Sequence, residues 1–177
     1  MKINNIGYNH THDADFVIQR TTGSGDYLLL LLKTPAVFTL CGKDIVTESD
    51  SFILFRQGTP QLYRAYGLTF SNDWFHFSIS DDEMGFLEAL DIPFDTVMPI
   101  GDLNGLSLII KNMSYENYSS NLYKTDSVEL YMKLFFLKLS EKIHSVGKEK
   151  SDSYYDKLSI LRSKIYNKPY HDWNVEG

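Results

Sequence analysis

Short apolar segments separated by turn residues dominate the first half of the chain. Residues 15–20 read as a first strand, and the glycines of TTGSGD favour a turn because glycine readily adopts positive φ. The continuous apolar run YLLLLLK is typical of a strand buried on both faces, although leucine also favours helices. Further strands are predicted in AVFTLCGKDIVTE (a hairpin around Gly42), in DSFILFRQGTPQLYRAYG, and as two short strands in LTFSNDWFHFSI. Residues 15–80 therefore predict a small antiparallel barrel or sandwich, preceded by an irregular polar arm at 1–12.

The pattern becomes helical after Ser80. DDEMGFLEALDIPFD predicts one short helix, and DLNGLSLIIKNMSYENYSS is predicted to be helical in its middle. The strongest helix is predicted in TDSVELYMKLFFLKLSEKIH, where Asp126 and Glu129 resemble a capping box. Leu130, Tyr131, Leu134 and Leu137 widen its apolar surface, so a second packing surface is expected besides the barrel. Its main apolar stripe has helical spacing: Val128, Met132, Phe135, Phe136, Leu139 and Ile143.

The charge of the chain is unevenly distributed. Residues 1–147 hold 11 Lys and Arg against 18 Asp and Glu, a balance of −7, whereas residues 148–177 hold 6 against 5, a balance of +1. Because phosphate repels an acidic module, residues 1–147 are not expected to bind nucleic acid. Cys41 is the only cysteine, which excludes an internal disulfide and fits a reducing compartment. With no apolar signal-peptide core near the N-terminus, the sequence predicts a cytoplasmic protein.

Three segments resemble the AraC family of bacterial transcription regulators. RTTGSGDYLLLLLK is similar to the family's arginine, glycine turn and strand, DSFILFRQGTPQLY to its strand and Gly-Thr-Pro loop, and NDWFHF to its Trp-x-His-Phe strand. The resemblance implies a mainly β fold with helices, namely a cupin-like antiparallel β-barrel (jelly-roll) followed by a helical subdomain. Such a domain binds a small effector, often a sugar and sometimes another metabolite, and dimerises, and residues 1–147 are assigned to it.

The last thirty residues carry the resemblance further. SVGKEKSDS has the composition of a linker. YYDKLSILRSKIYNKPYHDWNVEG is similar to the first helix of the family's helix-turn-helix domain and the cap of its second helix. Residues 148–177 are therefore expected to be a linker and the start of a truncated DNA-binding domain, so DNA would be bound only through residues absent from this chain.

The resemblance also implies an effector site inside the barrel. Trp74 matches a position where an indole stacks on a sugar, and Tyr63 matches a tyrosine whose hydroxyl assists. Asn72 and His76 lie two residues either side of Trp74, so strand alternation places all three on one face. The expected effector-binding residues are Trp74, Tyr63, Asn72, His76, Arg20 and Thr34. A sugar-binding member carries a larger, charged side chain at the position of Thr34, and His10 and His12 lie where the family has an arm that folds over ligand.

Other functions compete with effector sensing. Trp74 and His76 could be ordinary core residues instead of ligand contacts. Arg20 could be solvated or form a structural ion pair. A metal-dependent cupin enzyme would use a histidine-rich cluster, but His10 and His12 precede the first predicted strand and Gln61 occupies a position where such enzymes carry histidine. A pure oligomerisation module would use only the apolar stripe of the long helix, for which a symmetric homodimer is expected. No catalysis, cofactor or metal is expected.

Overall fold

The structure is a computed structural model that describes residues 1–145 and Ile160. Contacts within the chain define one compact unit, Met1–His144, and a second, Ser145–Gly177. The expected linker and helix-turn-helix segment at 148–177 lies outside the described residues, apart from Ile160. The elements in chain order are β1 Lys2–Asp13, β2 Val17–Arg20, β3 Tyr27–Leu32, β4 Ala36–Leu40, β5 Lys43–Val46, β6 Ser51–Phe55, β7 Gln61–Ala65, β8 Thr69–Ser78, α1 Asp81–Ala89, β9 Met98–Pro99, α2 Asn104–Tyr118 and α3 Lys124–Ser145.

The strands pair as a long hairpin that has been rolled up. β1 pairs with β8, β2 with β7, β3 with β6 and β4 with β5, all antiparallel, and rolling adds the pairs β3–β8 and β4–β7. The result is a five-stranded sheet, β1-β8-β3-β6-β9, and a four-stranded sheet, β2-β7-β4-β5. This nested pairing is the jelly-roll arrangement. The predicted fold class, a jelly-roll followed by helices, is confirmed as a two-sheet sandwich.

The leucine run of β3 is buried on both faces, as predicted. Leu29 and Leu31 face a core between the five-stranded sheet and the helices, whereas Leu28, Leu30 and Leu32 face a core between the two sheets. Strand alternation puts successive side chains on opposite faces, so only an uninterrupted apolar run can supply both cores.

The predicted polar arm at 1–12 is wrong, because these residues form β1. β1 pairs with β8 from Lys2↔Ser78 to Asp13↔Thr69, with two irregularities in register. At the second, Tyr8 and Asn9 lie opposite the single residue Asp73, which is a β-bulge, and Asn9 adopts φ +53°. β8 is one ten-residue strand, where two short strands were predicted.

Helix α3 packs its predicted stripe onto its own sheet. It begins at Lys124, so Asp126 lies in the first turn and does not cap the helix as predicted. Phe135 and Phe136 contact Phe75 edge to face, with ring centroids 5.2 and 5.9 Å apart. Of the six residues expected to mediate dimerisation, five are buried in the core and the sixth packs against it: Val128, Met132, Phe135, Phe136, Leu139 and Ile143. Their assignment to a dimer interface is therefore wrong, because their contacts are made within one chain.

A second stripe of α3 points to solvent. Leu130, Leu134 and Leu137 are 67%, 41% and 44% exposed and follow one another at helical spacing. The expected second apolar surface therefore exists, on the face opposite the sheet. No helix in the described part of the chain is long and apolar enough to cross a membrane.

Candidate ligand-binding cavity

A cavity of about 230 Å³ lies between the two sheets. Strands β1, β2, β3, β7 and β8 supply most of its walls, and Phe16 between β1 and β2 completes them. Its apolar walls come from Leu28, Leu30 and Ile18, which belong to or pack against the inter-sheet core. The lining residues are Asn5, His10, His12, Phe16, Ile18, Arg20, Leu28, Leu30, Tyr63, Asn72, Trp74 and His76.

Five of the six predicted effector residues line this cavity: Trp74, Tyr63, Asn72, His76 and Arg20. The predicted alternation on β8 explains three of them, since Phe75 and Phe77 face the helices instead. Thr34 does not line the cavity, and its assignment is corrected. Its hydroxyl accepts a hydrogen bond from the Ser71 backbone N–H at 2.9 Å and donates to the Thr69 carbonyl at 3.4 Å. Thr34 follows β3 and ties that end of the strand to β8.

Trp74 is held against β1 rather than lying free in the cavity. Its indole Nε1 donates to His10 Nδ1 at 3.1 Å, and the two rings meet edge to face with centroids 5.5 Å apart. Gly7 makes this approach possible, because a Cβ at that position would come within 2.5 Å of the indole. β1 therefore closes one side of the cavity through the His10–Trp74 contact.

A second group of rings forms the neighbouring wall. His12 stacks on Phe16 with centroids 4.1 Å apart, and Phe16 stacks on Phe70 at 4.8 Å. Sequence reasoning noted His10 and His12 but placed them on an irregular arm, and it missed Phe16. No motif marks Phe16. Only the fold, which turns the chain between β1 and β2 across the mouth of the sandwich, brings it to the cavity.

The polar groups of the cavity include a guanidinium, a phenol and a buried amide. Arg20 donates from Nη1 to Gln61 Oε1 at 2.9 Å. Burial raises the pKa of Tyr63 to about 12, an effect that the nearby Arg20 charge partly offsets, so the phenol keeps its proton at neutral pH. Asn72 is buried, and its Oδ1 has no hydrogen-bond partner among the described residues. An unsatisfied buried amide costs stability, which is the pattern of a group that a bound molecule would satisfy.

His76 is paired with a carboxylate behind the cavity wall. Its Nδ1 lies 2.8 Å from Asp26 Oδ1. Partial burial acts to raise the pKa of Asp26, but hydrogen bonds from Asn4, His76 and Ser24 outweigh it and hold that pKa below its usual value. The Asp26 carboxylate is thus ionised and already occupied by protein partners.

A larger depression of about 390 Å³ opens at the end of the sandwich. The Cys41–Gly42 turn, the Thr59–Pro60 segment and Asp95 contribute to its rim, and Arg20 borders both this depression and the cavity between the sheets. Of its charged groups, Asp95 is bonded to Arg56, and Arg20 is shared with the smaller cavity. The smaller cavity is the better candidate site because it has a buried unpartnered amide and convergent aromatic rings.

Within residues 1–145 and 160, no group of three or more His, Cys, Asp or Glu side chains is placed to hold a metal ion. The Nδ1 atom of His10 is bonded to Trp74, and that of His76 to Asp26. The Gln61 amide is bonded at both ends, accepting from Arg20 and donating from Nε2 to Ser24 at 3.1 Å.

Comparison with known proteins gives remote structural likenesses. No protein-family model matches the chain, and no curated protein matches it. Among solved structures, ToxT from Vibrio cholerae without ligand has a TM-score of 0.48 at 16% identity, covering 94% of this chain and 66% of that one. ToxT bound to (E)-4-(8-methylnaphthalen-1-yl)but-3-enoic acid has a TM-score of 0.47 at 16% identity, covering 95% and 67%. ToxT bound to an unsaturated fatty acid has a TM-score of 0.43 at 14% identity, covering 98% and 67%.

The chain spans about two thirds of the length of these ToxT structures.

Proposed function

We propose that this chain is the ligand-sensing portion of an AraC-type transcription regulator and that it is not an enzyme. The observation that carries the proposal is the cavity between the sheets, where five residues expected from the sequence converge and one of them, Asn72, has a buried amide oxygen without a hydrogen-bond partner among the described residues. An aromatic and polar cavity in a rigid sandwich suits a small molecule. Binding of DNA would belong to the helix-turn-helix domain that residues 148–177 are proposed to begin.

A bound molecule would signal through β1. His10 contacts Trp74 on the cavity side of β8, while the adjacent Asn9 backbone N–H donates to Asp73 Oδ1 at 2.5 Å on the helix side. Asp73 Oδ2 in turn accepts from Ser107 Oγ of α2 at 2.6 Å. A ligand that favours one position of the His10–Trp74 pair therefore also acts on the bulge of β1 and on α2. Such coupling requires that the ligand bind one arrangement better than the other.

The proposed regulator is a homodimer that uses the solvent-facing stripe of α3. Leu130, Leu134 and Leu137 are exposed at helical spacing, and an apolar helix stripe of this kind is buried when a second helix packs on it. A symmetric dimer would pair the stripe with its own copy.

A thermal-shift screen tests the sensing proposal. Some small molecule is expected to raise the melting temperature, since a ligand that binds only the folded state stabilises it in proportion to its occupancy. Trp74→Ala should abolish the rise, whereas Tyr66→Ala, which removes an exposed aromatic ring outside the cavity, should keep it. A compound that stabilises both variants equally would place its site elsewhere.

Two alternatives have separate tests. If the protein is a metal-dependent enzyme, metal analysis of the purified protein will find a stoichiometric ion that is lost in His10→Ala and His76→Ala. If it is only an oligomerisation module, no compound will stabilise it, yet substitution of Leu134 will still change its sedimentation.

A further inference from the structure

The walls of the cavity between the sheets carry no acidic side chain. Its twelve lining residues include Arg20 and three histidines but neither Asp nor Glu, in a chain with 23 acidic residues and a net charge of −6. From this we infer that the ligand is a small organic anion, a carboxylic acid with a compact apolar body, held by Arg20. The inference rests on the proposed sensing function and specifies its ligand class.

Arg20 differs from the other arginines in the described part of the chain. Arg56 pairs with Asp95 at 3.2 Å and Arg64 with Asp44 at 3.0 Å. Arg20 has no carboxylate within ion-pair distance among residues 1–145 and 160, and the one hydrogen bond of its guanidinium there goes to the neutral amide of Gln61. A guanidinium presents five N–H donors in a planar fork that matches a carboxylate, so one bond to Gln61 leaves donors for a ligand.

The groups around Arg20 are suited to an anion as well. Tyr63 is stacked on Phe38 with centroids 5.0 Å apart, so its ring is fixed, and its hydroxyl is a protonated donor. His10 accepts a hydrogen bond at Nδ1, which places the proton of the neutral ring on Nε2. With the positive charge of Arg20 and no carboxylate on these walls, a cationic ligand is disfavoured.

Size and shape restrict the rest of the ligand. A volume of about 230 Å³ lies below the roughly 300–1,000 Å³ that is typical of ligand pockets. Long chains therefore do not fit entirely within it. The Phe16 ring and the Leu28 and Leu30 side chains offer an apolar surface for a flat ring or a branched alkyl group. A neutral sugar, whose many hydroxyl donors need carboxylate or amide acceptors, finds few of them here.

Matched acids and amides isolate the charge. Isothermal titration of the 177-residue chain would compare benzoate with benzamide and isovalerate with isovaleramide, with D-glucose as the neutral sugar. At least one acid is expected to bind about tenfold or more tightly than its amide, because a charge-assisted bidentate pair replaces a neutral contact. Equal affinity for acid and amide, or binding of glucose alone, would overturn the carboxylate inference while leaving the sensing function intact.

Variants of Arg20 identify the anchor. Arg20→Gln should weaken the acid about tenfold or more and leave the amide unchanged, and Arg20→Lys should recover part of the affinity. Arg56→Gln, which removes an arginine outside the cavity, is the matched control and should bind the acid normally. Circular dichroism would establish that each variant is folded. If Arg20→Gln binds the acid as well as wild type, the inference fails. If acids, amides and sugar all leave the wild type unbound at millimolar concentration, the sensing function fails with it.

Discussion

Replacing Asp73 with Ala should destabilise the sandwich more than any surface substitution. Asp73 is fully buried, and its carboxylate accepts from the Asn9 backbone N–H, from Lys33 Nζ at 2.7 Å and from Ser107 Oγ. It thereby joins β1, the end of β3 and α2 at one point. The alanine variant leaves all three donors without their acceptor, and it leaves a cavity where the carboxylate was.

The loss of unfolding free energy depends on how well water can hydrogen-bond to the donors that Asp73 leaves behind. Removing one partner of a buried ion pair costs about 3–5 kcal/mol. The Lys33 side chain is 22% exposed and can regain water, which places the value near the lower end, at about 3 kcal/mol. Ser107 is buried and cannot regain water, so its hydroxyl loses its hydrogen bond without replacement. For a protein of this size, about 3 kcal/mol corresponds to a fall in melting temperature of roughly 6–12 °C.

Urea denaturation followed by circular dichroism measures this loss. Asp44→Ala is the matched control: Asp44 also forms an ion pair, with Arg64, but both side chains are about half exposed, so its loss should be small. Asp73→Asn, which keeps the shape and loses the charge, should fall between the two. Ser107→Ala should cost less in the Asp73→Ala background than in the wild type, because the two groups share one bond.

The reasoning would be refuted by an Asp73→Ala variant as stable as Asp44→Ala. It would also be refuted if Ser107→Ala cost the same in both backgrounds, since the two side chains would then be energetically independent.

Three further outcomes are expected. Leu134→Glu should convert a sedimenting dimer into a monomer without loss of helicity, whereas Leu68→Glu, an exposed leucine in a turn, should leave the dimer unchanged; a monomeric wild type would contradict the interface. Gly7→Ala should reduce the rise in melting temperature that the ligand causes, because the added Cβ displaces the Trp74 indole. An unchanged rise would show that ligand binding does not depend on the packing of Trp74 against Gly7. Since hydrogen bonds hold the pKa of Asp26 below 3.8, its stabilising contribution is present above that pH and is lost below it, so the melting temperatures of wild type and Asp26→Asn should converge in acid; a constant difference would exclude this linkage.

The sequence predicts the parts of the fold whose pattern is local. The leucines of β3, the alternation around Trp74 and the apolar spacing of α3 each depend on one element, and the structure bears out all three as burial patterns. The sequence does not reveal β1, because its polar residues acquire strand structure only by pairing with β8, and its bulges break the alternation that a strand would show.

The errors in the site have the same origin. A strongly periodic apolar stripe such as that of Phe135 and Phe136 indicates burial but not the surface that covers it, and the chain's own sheet is the nearest one. Thr34 is assigned to the effector site only from its spacing along the sequence. Because β3 ends at Leu32, Thr34 lies beyond the strand and does not line the cavity. Phe16 lies in a connection between strands, where no periodicity exists to be read.

The most direct test of the account is a crystal structure of the protein with a compound that raises its melting temperature. The account predicts density for that compound between the two sheets, bounded by Trp74 on one side and Arg20 on the other. Density in the depression beside the Cys41–Gly42 turn, with the space between the sheets filled by the protein's own side chains, would contradict it.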